Sequence, residues 1–358
     1  MLRLSPITAK KLQRFREIKR GYYSLLIVLT LFFFSLLLEL CINSKALIVK
    51  YDGAYYFPTY SAVRLGSDFG LQGSDANIPV NYRDLKVEFS ETQNKNWVIL
   101  PPIPYNAFEN NAFNGILRPR PPSLEAMHLL GTDTTGRDIL ARLLYGFRTA
   151  IMFAVIFTFL VFVFGIVSGC LMGFFGGWTD LAGQRLIEIW SNIPFLFVVL
   201  IINSIVPSSL PVSTRIFILM IIMVAFSWMG LTYYMRTGTY REKARDYTAA
   251  AKVLGASSVR IIFKHILPNS IATVITFIPF TVVSGITAVT ALDFLGFGLP
   301  PPTPSMGELL KQGVASLTIA PWIVASAFTS LVITLTLITF IGEAVREAFD
   351  PKKFTIYQ

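Results

Sequence analysis

The stretch Thr149–Phe174 reads TAIMFAVIFTFLVFVFGIVSGCLMGF and carries no charged side chain. A helix rises about 1.5 Å per residue, so about 20 apolar residues cross the hydrocarbon core of a bilayer, which is about 30 Å thick. This stretch is therefore long enough to span a membrane. Of the 358 residues in the chain, 53% are hydrophobic and only 15% are charged. This composition excludes a disordered protein and an ordinary water-soluble enzyme.

Five further stretches are apolar over a similar length, which predicts an all-α membrane protein with six transmembrane helices. The third is the weakest candidate, because Glu188 and Pro194 interrupt its first half. The first is too long for the apolar core of a cleaved signal peptide, and no cleavage site follows it, so we expect it to be retained. The predicted helices are Tyr22–Ile42, Thr149–Phe174, Leu186–Val206, Ile216–Met235, Ile271–Phe294 and Trp322–Ala344.

The basic residues are distributed unevenly between the two sides of these helices. Seven precede the first helix and seven lie between the fourth and the fifth, whereas the two short loops on the opposite side hold only Arg215 and Lys311. Because cytoplasmic loops carry an excess of Lys and Arg, both termini are predicted to be cytoplasmic. Residues 43–148 would then face outward. The net charge of +10 is explained as this orientation signal, and no nucleic-acid partner is expected.

The segment 43–130 is the one soluble-looking region, and it is predicted to be a small, loop-rich, partly β insertion on the outer side of the membrane. Short alternating pieces at Leu47–Tyr51 and Lys86–Phe89 favour strands, and the Pro-rich piece Arg118–Pro122 is typical of a stiff connector. The predicted divisions are a basic cytoplasmic N-terminus 1–21, a first transmembrane helix 22–42, the insertion 43–130, a core 131–345 with five transmembrane helices and a cytoplasmic loop 241–269, and a cytoplasmic tail 346–358.

The cytoplasmic loop reads RDYTAAAKVLG over Arg245–Gly255 and ASSVRIIFKHILPN over Ala256–Asn269. The first half is rich in alanine and predicts a helix, and Gly255 permits a left-handed turn after it. Ser257 or Ser258 can cap a second helix. The apolar positions predicted to share one face of this second helix are Val259, Ile262, Phe263 and Ile266.

Pro268 lacks a backbone donor and would set the bend back into the membrane. The pattern is typical of a rigid helix–turn–helix that docks on a cytoplasmic partner. It is equally typical of an amphipathic helix that rests on anionic lipid. The residues alone leave both interpretations open.

Three successive alanines, a glycine four residues later and a Leu-Pro pair beyond it resemble the EAA loop of ABC importer membrane subunits, with Ala249 in place of the family's Glu. In that family the loop seats in a cleft of the ATPase subunit. The resemblance therefore implies that ATP is used by a partner and that this chain binds no cofactor. The implied ATPase-coupling residues are Ala249, Ala250, Ala251, Gly255, Leu267 and Pro268.

Other segments resemble the peptide (oligopeptide, dipeptide and nickel) permeases of the ABC importers, and the YejE-type branch that imports peptides and microcin C is the most similar. The segments are Arg20–Leu25, Asn43–Leu47, Gly131–Gly146, Leu292–Gly298 with Pro302–Ser305, and Gly342–Pro351.

This resemblance implies the six-helix fold of type I ABC importer permeases in the bacterial inner membrane. It also implies a homologous second permease subunit in a heterodimer, a cytoplasmic ABC ATPase, a periplasmic solute-binding protein and a short peptide substrate, with membrane lipid around the helices.

Two sequence features suggest other chemistry. Asp133–Gly136 mimics the Asp-x-x-Gly of a GTPase switch, but the sequence has no phosphate-binding Gly-x-x-x-x-Gly-Lys-Ser/Thr loop, so a helix N-terminus capped by Thr132 or Asp133 is favoured. Asp293 lies close to an apolar run and is a candidate for the translocation path, with a structural role as the alternative. No catalytic constellation and no metal-ligand cluster is visible, and the chain is predicted not to be an enzyme.

Three alternative functions stay open at this point. One is an ABC permease for nickel or another small solute. A second, less favoured, is an ion-coupled secondary transporter, which would normally carry coupling carboxylates near the middle of the bilayer and broken helices in repeated halves. The third is a membrane-anchored receptor or enzyme with its chemistry in the outer segment, although residues 43–130 show no paired catalytic groups.

Overall fold

The computed structural model of the protein describes residues 6–92, 95–112 and 115–349. The predicted tail, residues 346–358, lies outside the described residues from position 350 onward. The helices are α1 Pro6–Glu17, α2 Lys19–Leu36, α3 Leu38–Cys41, α4 Tyr82–Glu91, α5 Ile139–Phe175, α6 Gly177–Ser191, α7 Phe195–Ile205, α8 Val212–Lys243, α9 Asp246–Val253, α10 Ser258–Ile261, α11 Leu267–Val274, α12 Ile278–Leu295, α13 Met306–Ala315 and α14 Pro321–Phe349. The strands are β1 Ile48–Tyr51, β2 Ala54–Tyr56 and β3 Trp97–Ile99.

The chain divides into two compact units. The bundle unit is built from Met1–Leu29, Ala150–Pro300 and Val332–Gln358. The cap unit is built from Thr30–Thr149 and Pro301–Leu331.

Within the described residues, five helical segments are long and apolar enough to cross a membrane, namely α2, α5, α8, Ile275–Leu295 and α14. The pair α6 and α7 is a sixth candidate, and it is bent by 72° at the break between the two helices. The prediction of a single helix over Leu186–Val206 is therefore wrong in its geometry. The cause is Pro194, which stands at the N-cap of α7 and has no N–H to continue the hydrogen-bond ladder of α6.

Other boundaries also differ from the predicted ones, and α8 and α14 extend beyond the predicted ends to Lys243 and Phe349. The first helix ends at Leu36 rather than Ile42, and the short helix α3 follows it. Helix α5 begins at Ile139, well before the apolar run, because the Asp138 carboxylate accepts the Ala141 amide at 2.8 Å and so caps it. Thr132 or Asp133 was predicted as the cap, but the Thr132 hydroxyl accepts the Arg120 amide at 2.8 Å, and the Asp133 carboxylate accepts the amides of Thr135 and Arg137 at 2.9 and 3.0 Å in the turn before the helix.

In the bundle unit, glycines on α5 bring that helix into close contact with α8. A Cβ atom at Gly173 would lie 2.7 Å from the Arg236 carbonyl oxygen, and one at Gly169 would lie 2.6 Å from the Thr232 carbonyl oxygen. Small residues spaced by four let helix backbones approach closely in membranes. Helices α5 and α8 therefore pack as one rigid pair. Helix α6 is also held on α8, since Asp180 pairs with Arg236.

The cap unit contains a three-stranded antiparallel sheet in the order β2-β1-β3. Helix α4 packs on this sheet, although its residues Lys86–Phe89 were expected to form a strand. The alternation there is only four residues long, whereas Tyr82, Leu85 and Phe89 recur at helical spacing and bury one face. Asn81 caps the helix by accepting the Arg83 amide at 3.2 Å. The buried core of this unit includes Ala46, Val49, Phe69, Tyr82, Leu85, Phe89 and Val98.

Candidate coupling site

Helix α9, the turn after it and helix α10 form a compact helix–turn–helix, residues 246–261, which we call the hook. Gly255 ends α9 with φ of +78°. Its amide donates to the Lys252 carbonyl at 3.0 Å, and the Ala256 amide donates to the Ala251 carbonyl at 3.0 Å. This pair of bonds is the Schellman helix end, in which glycine is favoured because a side chain strains a left-handed residue. The predicted helix, turn and Ser257 cap are all present.

A small apolar core holds the two arms of the hook together. Ala251 is buried against Ile261 and Ile266, with Phe174 of α5 and Ala256 beside them. The predicted apolar face is wrong in part, because Val259 and Phe263 point away from this core. Val259 lies in α10, and Phe263 lies in a π turn that occupies Ile262–Ile266, so the chain here is not one regular helix with the expected periodicity.

The hook and the π turn that follows it carry large apolar side chains that are exposed. Val253 and Leu254 are 88% and 86% exposed, and Val259 and Phe263 are 65% and 62% exposed. We call these four residues the apolar tip. Single exposed apolar residues are common, but a cluster on a short, polar-flanked turn is typical of a contact surface for another macromolecule.

The six predicted coupling residues fall into two groups. Ala249, Ala250, Gly255 and Pro268 are exposed, whereas Ala251 is buried and Leu267 is half-buried. In chain order, the first four of the six residues thus lie on the hook, and Leu267 and Pro268 lie at the start of α11. The buried Ala251 stabilises the hook from inside. The sequence interpretation did not include Val253 and Leu254, although two large aliphatic residues directly before a turn glycine were a usable signal.

Side-chain hydrogen bonds attach the hook to the helices on either side. The Tyr247 hydroxyl donates to the Glu242 carboxylate at 2.5 Å and accepts from the Asn269 amide at 3.0 Å. The Thr248 hydroxyl donates to the Glu242 carbonyl at 2.8 Å. Partial burial, together with the hydrogen bond to Glu242, raises the pKa of Tyr247 above its ordinary value. The hydroxyl therefore keeps its proton and remains a donor at neutral pH.

Three adjoining cavities of about 450, 260 and 230 Å³ follow one face of α8 in the bundle unit. Ser227 lines the first and the second, and Tyr234 and Phe277 line the second and the third. Helix α12 contributes Ser284 to the second cavity. We call the surface along these three cavities the α8 groove.

Asp293, the candidate for the translocation path, lies near the C-terminal end of α12. Its carboxylate accepts the Leu299 amide at 2.5 Å, and the side chain is buried in the turn that follows the helix. This contact gives it a structural role, and it is not among the residues that line the α8 groove. A role in transport stays a prediction. Within the described residues, no group of three or more His, Cys, Asp or Glu side chains is placed to hold a metal ion.

A bundle of helices long and apolar enough to cross a membrane, with an exposed apolar surface on the segment between two of them, is typical of a membrane transport subunit. The chain belongs to the family of binding-protein-dependent transport system inner membrane components, whose family model matches residues 165–355.

Relatives support the same assignment along the whole chain. It is 44% identical to the inner membrane ABC transporter permease protein YejE of Escherichia coli (strain K12), over 99% of each protein. It is 37% identical to the peptidoglycan transport system permease protein YejE of Agrobacterium fabrum, covering 98% of this chain and 94% of that protein. It is 34% identical to the oligopeptide transport system permease protein OppC of Haemophilus influenzae, covering 64% of this chain and 72% of that one.

These comparisons confirm the predicted family, the ABC importer permeases of the peptide type. The fold is that of type I ABC importer permeases, with several apolar helices and a small sheet. The chain is therefore a multi-pass inner-membrane permease subunit of an importer. Its family implies ATPase and solute-binding-protein partners.

Proposed function

We propose that the chain forms part of an ATP-driven importer that moves short peptides or peptide-like compounds into the cytoplasm. The names of its relatives, which transport oligopeptide or peptidoglycan, support this substrate class. In the proposed complex, a homologous permease subunit forms a heterodimer with this chain, and an extracytoplasmic solute-binding protein delivers the substrate. The ATPase subunits bind the nucleotide, since this chain has no phosphate-binding loop in its sequence.

The single observation that carries the proposal is the apolar tip. Docking of the tip in an ATPase subunit removes its four large side chains from water, and burial of each such side chain is favourable by about 1.5–3 kcal/mol. In this arrangement both termini and the loop 241–269 are cytoplasmic, and the insertion 43–130 is periplasmic. The exposed residues Ala249, Ala250, Gly255 and Pro268 then contact or shape the docking surface.

The proposed mechanism is alternating access, in which closure of the ATPase subunits displaces the hook. The close glycine contacts described above favour joint motion of α8 and α5. Displacement of the hook therefore moves α5 and α8 as a pair. The conformational change requires contacts that differ between the two states, and hook docking provides them.

Leu254→Asp is expected to abolish ATP-dependent peptide uptake by the complex reconstituted in liposomes. The substitution places a charge in the apolar tip, so the ATPase subunit should no longer co-purify with the permease. The matched control is Leu124→Asp, which changes an equally exposed leucine in the cap unit. A labelled tripeptide is the transported probe. Uptake of Ni²⁺ in place of peptide, or peptide uptake by the permease without ATPase, would contradict the proposal.

We further propose that the α8 groove forms part of the translocation path. Ser227 and Ser284 expose hydroxyl groups on α8 and α12, and polar side chains within a membrane usually face a protein partner or a water-filled cavity rather than lipid. The test uses the complex with Cys41 and Cys170 replaced by alanine. Cysteines introduced by Ser227→Cys and Ser284→Cys are expected to react with a water-soluble thiol reagent, and uptake should be lost once they have reacted. The control is Ile221→Cys, which lies on another exposed part of α8.

Mass spectrometry of the modified protein checks this prediction. The same low reactivity at positions 227, 284 and 221, with uptake retained, would place the α8 groove outside the path.

A further inference from the structure

We propose that Tyr247 is a positioning residue that couples the hook to two helices at once, and that without its hydroxyl the importer hydrolyses ATP without moving substrate. The inference rests on the proposed function, because it assigns the route by which hook displacement reaches the membrane helices. We call Glu242, Tyr247 and Asn269 the hook clamp.

The hook clamp joins three separate pieces of secondary structure. Glu242 lies in the last turn of α8, Tyr247 in the first turn of α9, and Asn269 in the first turn of α11. The Tyr247 hydroxyl contacts both partners, at 2.5 Å to the Glu242 carboxylate and 3.0 Å to the Asn269 amide nitrogen. A phenol can donate one hydrogen bond and accept another, so this one group serves both contacts.

The backbone between these pieces is not a continuous helix. Arg245, between α8 and α9, has extended dihedral angles, with φ of −81° and ψ of 148°. Between α9 and α11 lie the left-handed turn at Gly255 and the π turn at Ile262–Ile266. Such joints can absorb a displacement by changing their dihedral angles, as hinge residues do. A side-chain link across both joints prevents this, so the hook, α8 and α11 move together.

The partners of Tyr247 are themselves well fixed. Glu242 is only 8% exposed, and its backbone carbonyl accepts the Thr248 hydroxyl at 2.8 Å. The Asn269 amide also donates to the His265 carbonyl at 2.8 Å. The Arg241 guanidinium lies 3.3 Å from the Glu242 carboxylate but is largely exposed, so the Tyr247 hydroxyl is the closer partner of this carboxylate. A buried carboxylate depends on such donors.

The test compares Tyr247→Phe with the wild-type complex, assembled with its ATPase and solute-binding subunits in liposomes. Tyr247→Phe removes only the hydroxyl, and we expect at least a five-fold fall in tripeptide imported per ATP hydrolysed. Basal ATP turnover and the amount of co-purified ATPase should be unchanged, because the apolar tip is intact. Tyr233→Phe is the matched control, since that hydroxyl on α8 has no hydrogen-bond partner among the residues that the structure describes.

Variants of the partners separate positioning from folding. Glu242→Gln keeps an oxygen that accepts from Tyr247 and should retain most of the coupling, whereas Glu242→Leu and Asn269→Leu should resemble Tyr247→Phe. A parallel loss of ATP turnover, co-purified ATPase and uptake in Tyr247→Phe would mean that the hydroxyl serves folding or docking, and would overturn the inference. Unchanged import per ATP would overturn it as well.

A readout without substrate separates this inference from the proposed peptide transport. Spin labels at positions 221 and 278, which lie on α8 and α12 and do not line the α8 groove, should change their separation when ATP is added to the wild-type complex. The same labels should show a smaller change, or none, in the Tyr247→Phe complex. If the wild type imports no peptide but its labels move and those of Tyr247→Phe do not, the substrate assignment fails and the hook clamp stands. Equal movement in both complexes would refute the hook clamp.

Discussion

Gly173→Leu is expected to prevent stable packing of α5 on α8 and to leave little permease that survives extraction in mild detergent. A Cβ atom at this position would lie 2.7 Å from both the Arg236 carbonyl oxygen and the Thr239 Cβ, so the backbones must separate to admit a side chain. Overpacking of this kind costs about 1–3 kcal/mol and sometimes more. A leucine adds three further carbons beyond Cβ, so we expect the upper end of this range. The measurement is the apparent melting temperature and the yield of the purified chain.

Gly230→Leu provides the matched control, because it adds the same side chain to α8 itself. A Cβ atom at Gly230 has no described atom within 4 Å, apart from the neighbouring backbone of its own helix. This variant should therefore keep the wild-type melting temperature. Equal stability of the two leucine variants would contradict a rigid α5–α8 pair, and with it the proposal that the two helices move together.

The sequence was sufficient to predict the membrane helices whose apolar runs are uninterrupted. Helix α5 is an example, since Thr149–Phe174 contains no charged residue and the hydrophobic effect alone requires its burial in lipid or protein. Its start could not be predicted from the apolar run, because Arg142 and Arg148 interrupt the apolar pattern in the first turns of α5 and the Asp138 cap fixes where they begin. The glycines at 165, 169 and 173 were a visible signal for close helix packing, but their partner helix could not be identified from sequence.

The break between α6 and α7 shows a second limit. Pro194 and the polar residues before it indicate an interruption. Such an interruption is compatible with a kinked helix, a loop or two separate helices, and the local sequence does not select among them. The observed bend of 72° depends on packing in the bundle, where Trp190 donates to the Ala225 carbonyl of α8 at 2.8 Å. Such a tertiary contact has no local sequence signature.

The candidate coupling site was predicted well in its local geometry and less well in its exposed surface. Gly255, Ser257 and the alanine-rich helix follow from backbone preferences that act over a few residues. The exposure of Val259 and Phe263 does not, because it depends on which face of α10 and of the π turn packs on the rest of the fold. The hook clamp was also missed, since Glu242 and Asn269 are 27 positions apart and only the fold brings them to one tyrosine.

Gly255→Pro is expected to abolish uptake while the permease still inserts into the membrane. The proline ring fixes φ near −65° and removes the N–H, whereas Gly255 needs φ of +78° and donates to the Lys252 carbonyl. The turn between α9 and α10 cannot form, and the apolar tip is no longer presented as one surface. Uptake of labelled tripeptide and co-purification of the ATPase measure the effect. Ala251→Trp should give the same loss, because Ala251 is buried between the two arms of the hook.

A graded series at position 255 distinguishes backbone strain from loss of contact. Apart from the two chain neighbours, no atom of the described residues lies within 4 Å of a Cβ built on Gly255, so we attribute any effect of Gly255→Ala to the left-handed backbone, which costs roughly 1–2 kcal/mol for a residue with a side chain. Asparagine tolerates this conformation better than alanine, so Gly255→Asn should retain most of the uptake and Gly255→Ala should be intermediate. If all three variants transported as well as wild type, the shape of the hook could not be what transmits the motion of the ATPase. If the Asn variant failed as completely as the Pro variant, the glycine would be required for direct approach of the partner's backbone rather than for its left-handed turn.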